Sequence, residues 1–257
     1  MAQPRNDLFS LHQRCAVVTG ASSGIGRAIA EAMAEAGASV VLLGRRTAAL
    51  SEVEDGIEAR GGKSASVSAD LADRQELPAI AERCATIFGE PDILVNSAAI
   101  NPRPPLGSVT LEDWDATMEV NLTAPFVLGQ RFGPSMAGRG FGRIINIASQ
   151  QSFRAFGNSG AYGVSKAGIV ALTRSQAEAW SRHGVCCNAV VPGFVHTAMT
   201  EAVFSDPKRV AALEARTMIG RSGQAEDFGG VAVFLASAAS AYVTGQAIFV
   251  DGGFSAT

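Results

Sequence analysis

Thr19-Gly20-Ala21-Ser22-Ser23-Gly24-Ile25-Gly26 is a glycine-rich turn, and its neighbours on both sides indicate the fold of this chain. It follows Cys15–Thr19, a short apolar segment of strand character. It precedes a pattern in which Ile25, Ile29 and Met33 recur on one face of a helix. A strand, a glycine-rich turn and an amphipathic helix in this order predict the start of a βαβ unit.

The three glycines of this turn indicate phosphate binding. Gly20 permits a tight turn, Gly24 lets the backbone approach a pyrophosphate, and Gly26 lets the helix pack closely on the sheet. The first helical residues would also offer free N–H groups and a positive dipole end to an anion. The turn therefore predicts a dinucleotide site, with a purely structural glycine-rich turn as the alternative.

Short runs rich in Val and Ile alternate with longer helical patterns along the rest of the chain, which is typical of a parallel sheet covered by helices. The predicted strands are Cys15–Thr19, Ser39–Leu43, Ser64–Ser68, Ile93–Val95, Arg143–Ile147, Val185–Val191 and Ala247–Val250. Thr110 is expected to cap a long helix that Pro125 kinks, and a further helix is expected from about 159 to 180. We therefore expect a Rossmann-type three-layer α/β/α sandwich with a seven-stranded parallel sheet. No linker or repeat divides it, so residues 1–257 are predicted to form a single domain.

Composition excludes several classes of protein. Of 257 residues, 47% are hydrophobic and 18% charged, enough apolar surface to build a core and too little charge for intrinsic disorder. The net charge of −3 lacks the basic excess of a nucleic-acid-binding protein. Four cysteines without CxxC spacing and three histidines outside any cluster predict no metal site and a reducing compartment. The first 14 residues lack the apolar core of a secretory signal, and no apolar run is long enough to cross a membrane. We expect a cytoplasmic protein with no membrane or nucleic-acid partner.

The end of the second strand predicts which dinucleotide is bound. An acidic residue there would bind the ribose hydroxyls of NAD and repel the 2′-phosphate of NADP. The chain instead has Gly44, Arg45 and Arg46, and arginine suits a phosphate because it offers paired donors and a permanent charge. NADP is therefore favoured and NAD remains possible; a solvated arginine pair is the alternative.

Tyr162 and Lys166 are candidate catalytic residues. They lie four residues apart on a predicted helix and so share a face. An ammonium near a phenol favours the phenolate, so Lys166 is expected to lower the pKa of Tyr162 toward a useful range. Ser149 follows the fifth strand, at the sheet edge where parallel α/β proteins bind ligands. Without that serine, an ordinary Tyr/Lys pair on a helix surface would be the simpler interpretation.

Taken together, the chain resembles the short-chain dehydrogenase/reductase family over essentially its whole length. The matching motifs are Thr19–Gly26, Asp70-Leu71, Asn96-Ser97-Ala98-Ala99, Asn121, Ser149, Tyr162 with Lys166, and Pro192-Gly193. The family's N-N-A-G is changed here to N-S-A-A, and Ala99 narrows the space near the cofactor. The resemblance implies a catalytic tetrad of Asn121, Ser149, Tyr162 and Lys166.

The same resemblance implies a role for each tetrad residue. Tyr162 would be the general acid or base, Ser149 would donate a hydrogen bond to the substrate oxygen, Lys166 would bind the nicotinamide ribose, and Asn121 would hold a water. It also implies cofactor contacts and a homotetramer. The cofactor contacts would be Gly20, Ser22, Ser23, Gly24, Ile25, Gly26, Arg45, Arg46, Asp70, Leu71, Asn96, Ala98, Tyr162, Lys166, Pro192, Gly193, Val195 and Thr197. His196, beside Val195, could face the substrate, although a loop histidine without a catalytic part is favoured.

The substrate is expected to be a small carbonyl compound or alcohol. Residues at about 198–218 correspond to the family's variable lid, while Gln150, Gln151, Ser152, Arg154 and Arg103 supply polar groups near the tetrad. The chain is most similar to members that act on sugar acids, sugars or polyols, such as gluconate 5-dehydrogenases. A 3-oxoacyl-acyl-carrier-protein reductase is the alternative. A non-catalytic dinucleotide sensor and a sugar-nucleotide epimerase or dehydratase are alternatives from other classes.

Overall fold

The computed structural model describes residues 8–257 and contains the predicted seven-stranded, all-parallel sheet. Its strands are β1 Cys15–Thr19, β2 Ser39–Gly44, β3 Lys63–Ser68, β4 Ile93–Asn96, β5 Gly142–Ile147, β6 Val185–Pro192 and β7 Ala247–Val250. They lie side by side in the order β3-β2-β1-β4-β5-β6-β7. The fold class and all seven strands are therefore confirmed, with bounds that differ by at most one residue from the predicted ones.

Nine helices connect the strands over residues 8–257. They are α1 Gly24–Glu35, α2 Thr47–Ala59, α3 Leu77–Phe88, α4 Leu111–Met118, α5 Ala124–Arg139, α6 Gly160–Trp180, α7 Glu201–Phe204, α8 Pro207–Glu214 and α9 Gly229–Ala236. Successive strand residues point to opposite faces of the sheet. On β1, Ala16 and Val18 therefore pack with the core of α1, α2 and α9, whereas Cys15 and Val17 pack with that of α3 and α5. The sheet is the middle layer of three.

The long helix predicted from Thr110 is interrupted. Thr110 Oγ1 accepts a hydrogen bond from the Asp113 backbone N–H at 3.1 Å, so the predicted cap is present. A π-helical turn at 119–123 separates α4 from α5, and Pro125 lies in the first turn of α5. Single π-helical turns inside helices are frequent at functional sites, and this one contains Asn121.

The carboxyl ends of the strands meet at one edge of the sheet, where the loops after β1, β4, β5 and β6 converge. The variable stretch at 198–218 contains two short helices, α7 and α8, for which the sequence showed no periodicity. Within residues 8–257, no helix is both long and apolar enough to span a membrane. Residues 1–7 lie outside the described residues. They belong to the predicted domain and to the first 14 residues, which were predicted to lack a secretory signal.

Candidate active site

A cavity of about 380 Å³ lies at this edge of the sheet and brings together most of the predicted site residues. Its lining includes Gly20, Ser22, Ser23, Gly24, Ile25, Gly26, Arg45, Arg46, Asp70, Leu71, Ala98, Ser149, Tyr162, Lys166, Pro192, Gly193, Val195 and Thr197. Two predicted residues, Asn96 and Asn121, are not part of that lining; both are buried behind it.

The glycine turn has the geometry that a phosphate cradle needs. Gly20 has φ +69°, and a Cβ added there would lie 2.9 Å from the Ala98 backbone nitrogen. A Cβ at Gly26 would overlap the Gly20 carbonyl oxygen, so only glycine lets α1 begin this close to β1. Thr197 reaches over the same turn, since a Cβ at Gly24 would lie 3.2 Å from Thr197 Cγ2. These residues fit a dinucleotide diphosphate between the turn and Thr197.

Two arginines mark the end of the cavity next to β2. Arg46 Nη2 donates hydrogen bonds to Ser23 Oγ at 2.7 Å and to Ser22 Oγ at 3.0 Å. Arg45 Nη1 lies 3.7 Å from Asp70 Oδ2, an exposed ion pair that is weak in water. Among the described residues that line the cavity, Asp70 is the only one with a carboxylate, and it is paired with Arg45. The two arginines therefore make this end of the cavity cationic.

Ser149, Tyr162 and Lys166 lie at the opposite end of the cavity. Ser149 lies two residues beyond the end of β5, and its Oγ accepts the Gln151 backbone N–H at 3.2 Å. Tyr162 and Lys166 lie on successive turns of α6, with Nζ 5.8 Å from the centre of the phenol ring. The Lys166 ammonium is buried and donates to the Ile147 carbonyl at 2.6 Å.

The pKa of Tyr162 does not follow the sequence expectation. Burial raises the pKa of the phenol, while the hydroxyl of Ser149 and the charge of Arg103 act in the opposite direction. Lys166 is not among these influences; its own pKa is lowered to about 8 because the ammonium is desolvated. In this structure Ser149 and Arg103, rather than Lys166, oppose the effect of burial on Tyr162.

Asn121 has a different set of contacts from the expected one. Its Oδ1 accepts the Ile100 N–H at 2.9 Å, and its Nδ2 donates to the Ile100 carbonyl and to Ser165 Oγ, both at 3.0 Å. Both amide hydrogens are therefore bonded within the protein, so the predicted water would be held through an oxygen of Asn121. The side chain instead fixes the loop after β4 to α6, the helix that carries Tyr162.

Asn96 was predicted to contact the cofactor, but its side chain forms hydrogen bonds inside the protein core. Its Nδ2 donates to Asn146 Oδ1 at 2.7 Å, and Asn146 in turn donates to Thr173 and Gln176 of α6. The strand alternation points Asn96 into this buried polar network and away from the cavity. The loop that begins there is placed instead by Thr19, whose Oγ1 accepts the backbone N–H groups of Ser97 and Ala98.

The loop after β6 forms one wall of the cavity. Val195 and Thr197 face the cavity, and Thr200 ties them together because its Oγ1 contacts both the Val195 carbonyl and the Thr197 N–H. His196 does not line the cavity. Its Nε2 lies 3.3 Å from Glu201 Oε2 and its ring stacks on Phe204, so it contacts the lid helix α7.

The substrate end of the cavity contains only some of the expected polar groups. Gln150, Gln151 and Arg103 line it, whereas Ser152 donates to the Lys166 carbonyl and Arg154 donates to the Ser255 carbonyl, both outside it. Phe156, Phe194 and Met199 also line the cavity. Met199 lies in the lid predicted at about 198–218, whereas Phe156 and Phe194 were not predicted as site residues. Phe194 could have been predicted, because it directly follows the Pro192-Gly193 motif. No sequence pattern singles out Phe156.

Known proteins resemble this chain over nearly its full length. A family model described as enoyl-(acyl carrier protein) reductase matches residues 20–255. A gluconate 5-dehydrogenase from Gluconobacter oxydans is 42% identical over 250 residues, 96% of each chain.

Two solved structures share both fold and sequence. One, assigned as an NAD(P)-dependent gluconate 5-dehydrogenase from Beutenbergia cavernae with NADP bound at low occupancy, is 47% identical with a TM-score of 0.94 and covers 97% of this chain and 100% of that one. The other is a gluconate 5-dehydrogenase from Burkholderia cenocepacia in complex with NADP and tartrate, 36% identical with a TM-score of 0.93 over 98% of both chains. The motifs, the parallel sheet and these relatives agree, and the chain belongs to the short-chain dehydrogenase/reductase family of oxidoreductases.

Proposed function

We propose that this protein is an NADP-dependent dehydrogenase that interconverts a secondary alcohol and a ketone on a sugar acid, as a gluconate 5-dehydrogenase does. The observation that carries the proposal is the composition of one cavity. Arg45 and Arg46 line the end assigned to the adenosine of the cofactor, and Ser149, Tyr162, Lys166 and Arg103 line the other end. When bound, the nicotinamide supplies or accepts the hydride.

The proton chemistry is assigned to Tyr162. Its hydroxyl gives a proton to the substrate oxygen when a ketone is reduced and takes one when an alcohol is oxidised. Ser149 donates a hydrogen bond to the same oxygen, where negative charge develops in the transition state. Lys166 is assigned to the ribose hydroxyls, and Asn121 to holding the loop after β4 in place.

The preference for NADP is assigned to Arg45 and Arg46. A guanidinium offers paired donors to a phosphate, and Arg46 is already held at Ser22 and Ser23 by hydrogen bonds. The glycine turn, Pro192, Gly193, Val195 and Thr197 are assigned to the rest of the cofactor. Supporting evidence comes from the two similar structures with bound NADP.

Arg103 supports a carboxylated substrate. It lines the cavity, it makes no hydrogen bond or ion pair with any of residues 8–257, and its charge acts on Tyr162. Its φ of +60° is unfavourable for a non-glycine residue that precedes a proline, and such strain is concentrated at binding sites. A carboxylate of the substrate would give this guanidinium the partner it lacks here. One similar structure holds tartrate, a hydroxylated dicarboxylate.

The alternatives are less well supported. An acyl-carrier-protein thioester has no carboxylate to pair with Arg103 at the reacting end. A non-catalytic sensor is expected to lose part of the tetrad, whereas this chain has all four residue types.

The test is a spectrophotometric panel of NADP⁺ with aldonates and polyols, and of NADPH with oxo-sugar acids and β-ketoacyl thioesters. Tyr162→Phe is expected to lower kcat by about a hundredfold or more, the usual contribution of a general acid or base. Tyr242→Phe is a matched control, because Tyr242 is the other tyrosine and is fully exposed. Undiminished turnover in Tyr162→Phe, or turnover of the thioester alone, would overturn the proposal.

We also propose that residues 1–257 form one cytoplasmic domain with its lid at about 198–218, and that the chain assembles as a homotetramer. Two exposed apolar faces support self-association: α5 and α6 around Phe126 and Val164, and the edge strand β7 around Phe249 with nearby Tyr242. Sedimentation should give a tetramer, and a monomer at micromolar concentration would contradict it.

A further inference from the structure

The Asp251–Thr257 segment follows β7 and packs against the active site from behind. Asp251 Oδ2 accepts hydrogen bonds from Gln150 Nε2 at 3.1 Å and from the Ser255 N–H at 2.9 Å, and Oδ1 accepts the Gly253 N–H at 3.0 Å. Burial opposes ionisation of Asp251, but these hydrogen bonds hold its pKa below the usual value. Asp251 is thus an ionised acceptor aimed at Gln150.

Gln150 links Asp251 to the catalytic end of the cavity. It directly follows Ser149, it is 3% exposed, and its carbonyl accepts the backbone N–H groups of Phe153 and Arg154, both at 3.0 Å. Arg154 also contacts the Asp251–Thr257 segment, since its Nη2 donates to the Ser255 carbonyl. The turn that begins at Ser149 is therefore tied to the segment at two places.

Phe254 makes the second connection. It is 1% exposed, and its ring centroid lies 5.5 Å from that of Phe194 and 6.5 Å from that of Phe156. Phe156 and Phe194 contact each other at 5.7 Å and line the substrate end of the cavity. The Arg216 guanidinium, from the stretch after α8, lies 4.2 Å from the Phe254 ring. Phe254 therefore supports two walls of the substrate end from outside the cavity.

We propose that Asp251 and Phe254 are positioning residues of the active site. Asp251 acts through Gln150 on the orientation of Ser149, and Phe254 acts through Phe156 and Phe194 on the shape of the substrate end. The assignment rests on the proposed function in that it takes Ser149 to be catalytic. Neither residue lines the cavity, and both act because a displacement of about 1 Å in a catalytic group can cost a hundredfold in rate.

The first experiment exchanges donor and acceptor. Gln150→Glu places a second carboxylate against Asp251, and Asp251→Asn removes the charge that Gln150 contacts; each is expected to lower kcat about tenfold with the KM for NADP unchanged. The double variant Gln150→Glu/Asp251→Asn restores a hydrogen bond of reversed direction and is expected to recover kcat to within about threefold of the parent. A residue with a merely structural role would change the melting temperature without this loss and rescue of kcat.

A second readout does not depend on activity. Amide hydrogen exchange at residues 151–154 should accelerate in both single variants and return in the double variant, because those N–H groups are held by the Ser149–Gln150 turn. Unchanged exchange together with kcat within twofold of the parent in both single variants would overturn the role of Asp251, as would a double variant no better than the singles.

Phe254→Leu tests the other connection, with Phe132→Leu in the α5 core as a matched control of equal burial. Phe254→Leu is expected to raise the KM for the alcohol about fivefold, whereas Phe132→Leu lowers only the melting temperature. Equal KM values in the two variants would overturn the role of Phe254.

These tests also distinguish failure of the proposed function from failure of the positioning roles. Turnover is measured with whichever alcohol the parent protein oxidises, so activity of the parent protein on other substrates would reveal a wrong substrate class without any variant. A parent protein inactive on every substrate refutes the proposed function, while the hydrogen-exchange data still decide whether Asp251 positions the Ser149 turn.

Discussion

Arg46 Nη2 donates a 2.7 Å hydrogen bond to Ser23 Oγ and so places a guanidinium on the glycine turn itself. The turn itself, Gly20–Gly26, contains no basic residue. Arg46 therefore supplies from the end of β2 the charge that the turn lacks.

Arg46→Met is expected to raise the KM for NADPH about tenfold, because a charge-assisted hydrogen bond contributes roughly 1.5–3 kcal/mol. The KM for NADH should change less than twofold, since NADH has no 2′-phosphate. Steady-state kinetics with both cofactors measure this, and Arg27→Met, which removes an exposed arginine paired with Glu31 on α1, is the control. Equal losses with NADH and NADPH would contradict a phosphate contact.

Gly44→Asp is expected to reverse the cofactor preference. A Cβ at Gly44 would lie 3.6 Å from Ser22 Oγ and 3.5 Å from Leu50 Cδ2, which are ordinary contacts, so the fold should accept the side chain. Its carboxylate would repel a 2′-phosphate and accept hydrogen bonds from the ribose hydroxyls of NAD. The ratio of kcat/KM for NADPH over NADH should fall by about a hundredfold or more. Gly44→Asn, which adds a side chain of the same size without the charge, should lower this ratio much less. An unchanged ratio in both variants would contradict the proposal that the end of β2 selects NADP.

The pH dependence of alcohol oxidation is expected to report Tyr162 and Arg103. Oxidation needs the phenolate as base, and because burial raises the pKa of Tyr162, kcat/KM for the alcohol should rise with pH through the neutral range. The Arg103 charge lowers that pKa, so Arg103→Met should move the rise to higher pH. The same variant should raise the KM for a sugar acid about tenfold or more, and change the KM for an uncharged polyol little.

Two outcomes would separate these roles. A pH profile that stays in place while the sugar-acid KM rises would leave Arg103 as a substrate contact without influence on Tyr162. A shift to lower pH would contradict the electrostatic argument. Arg74→Met, which removes an exposed arginine that pairs with Glu119 outside the cavity lining, is the control.

The sheet was predictable because six of its seven strands are short Val- or Ile-rich runs bounded by turn residues, a pattern that is local in the sequence. The exception is β3, Lys63–Ser68, which has one Val among six residues. The lid helices were not predicted because α7 has only four residues and α8 eight, too short to show a periodic face. One signal was available: Asp206-Pro207 places a capping side chain before a proline in the first turn, and Asp206 does accept the Lys208 and Arg209 N–H groups.

The positions of the candidate catalytic residues also followed from local spacing, whereas their surroundings did not. The contact between Gln150 and Asp251 joins residues 101 apart in the chain, and no local pattern predicts it. The pKa of Tyr162 was wrongly expected to be set by Lys166, because spacing on a helix says that two residues share a face but not how deeply either is buried. The inward orientation of Asn96 likewise depends on the neighbouring strand that supplies Asn146.

Asn121→Leu is expected to affect both stability and turnover. The variant leaves the Ile100 N–H and carbonyl without their partner, which should cost about 2–4 kcal/mol in the free energy of unfolding. It should also release the loop after β4 from α6, so that kcat falls about tenfold or more.

Asn188→Leu is the matched control, because Asn188 is equally buried and its side chain also bonds one backbone carbonyl, that of Val243, and one backbone N–H, that of Gln246. It lies on β6 and contacts the stretch before β7 rather than the loop after β4, and it lacks only a counterpart of the Asn121–Ser165 hydrogen bond. Thermal unfolding should show a similar loss for the two variants, while only Asn121→Leu loses kcat at a temperature where both are folded. If both variants kept the parental kcat, Asn121 would be a residue of the core and the tetrad would reduce to Ser149, Tyr162 and Lys166.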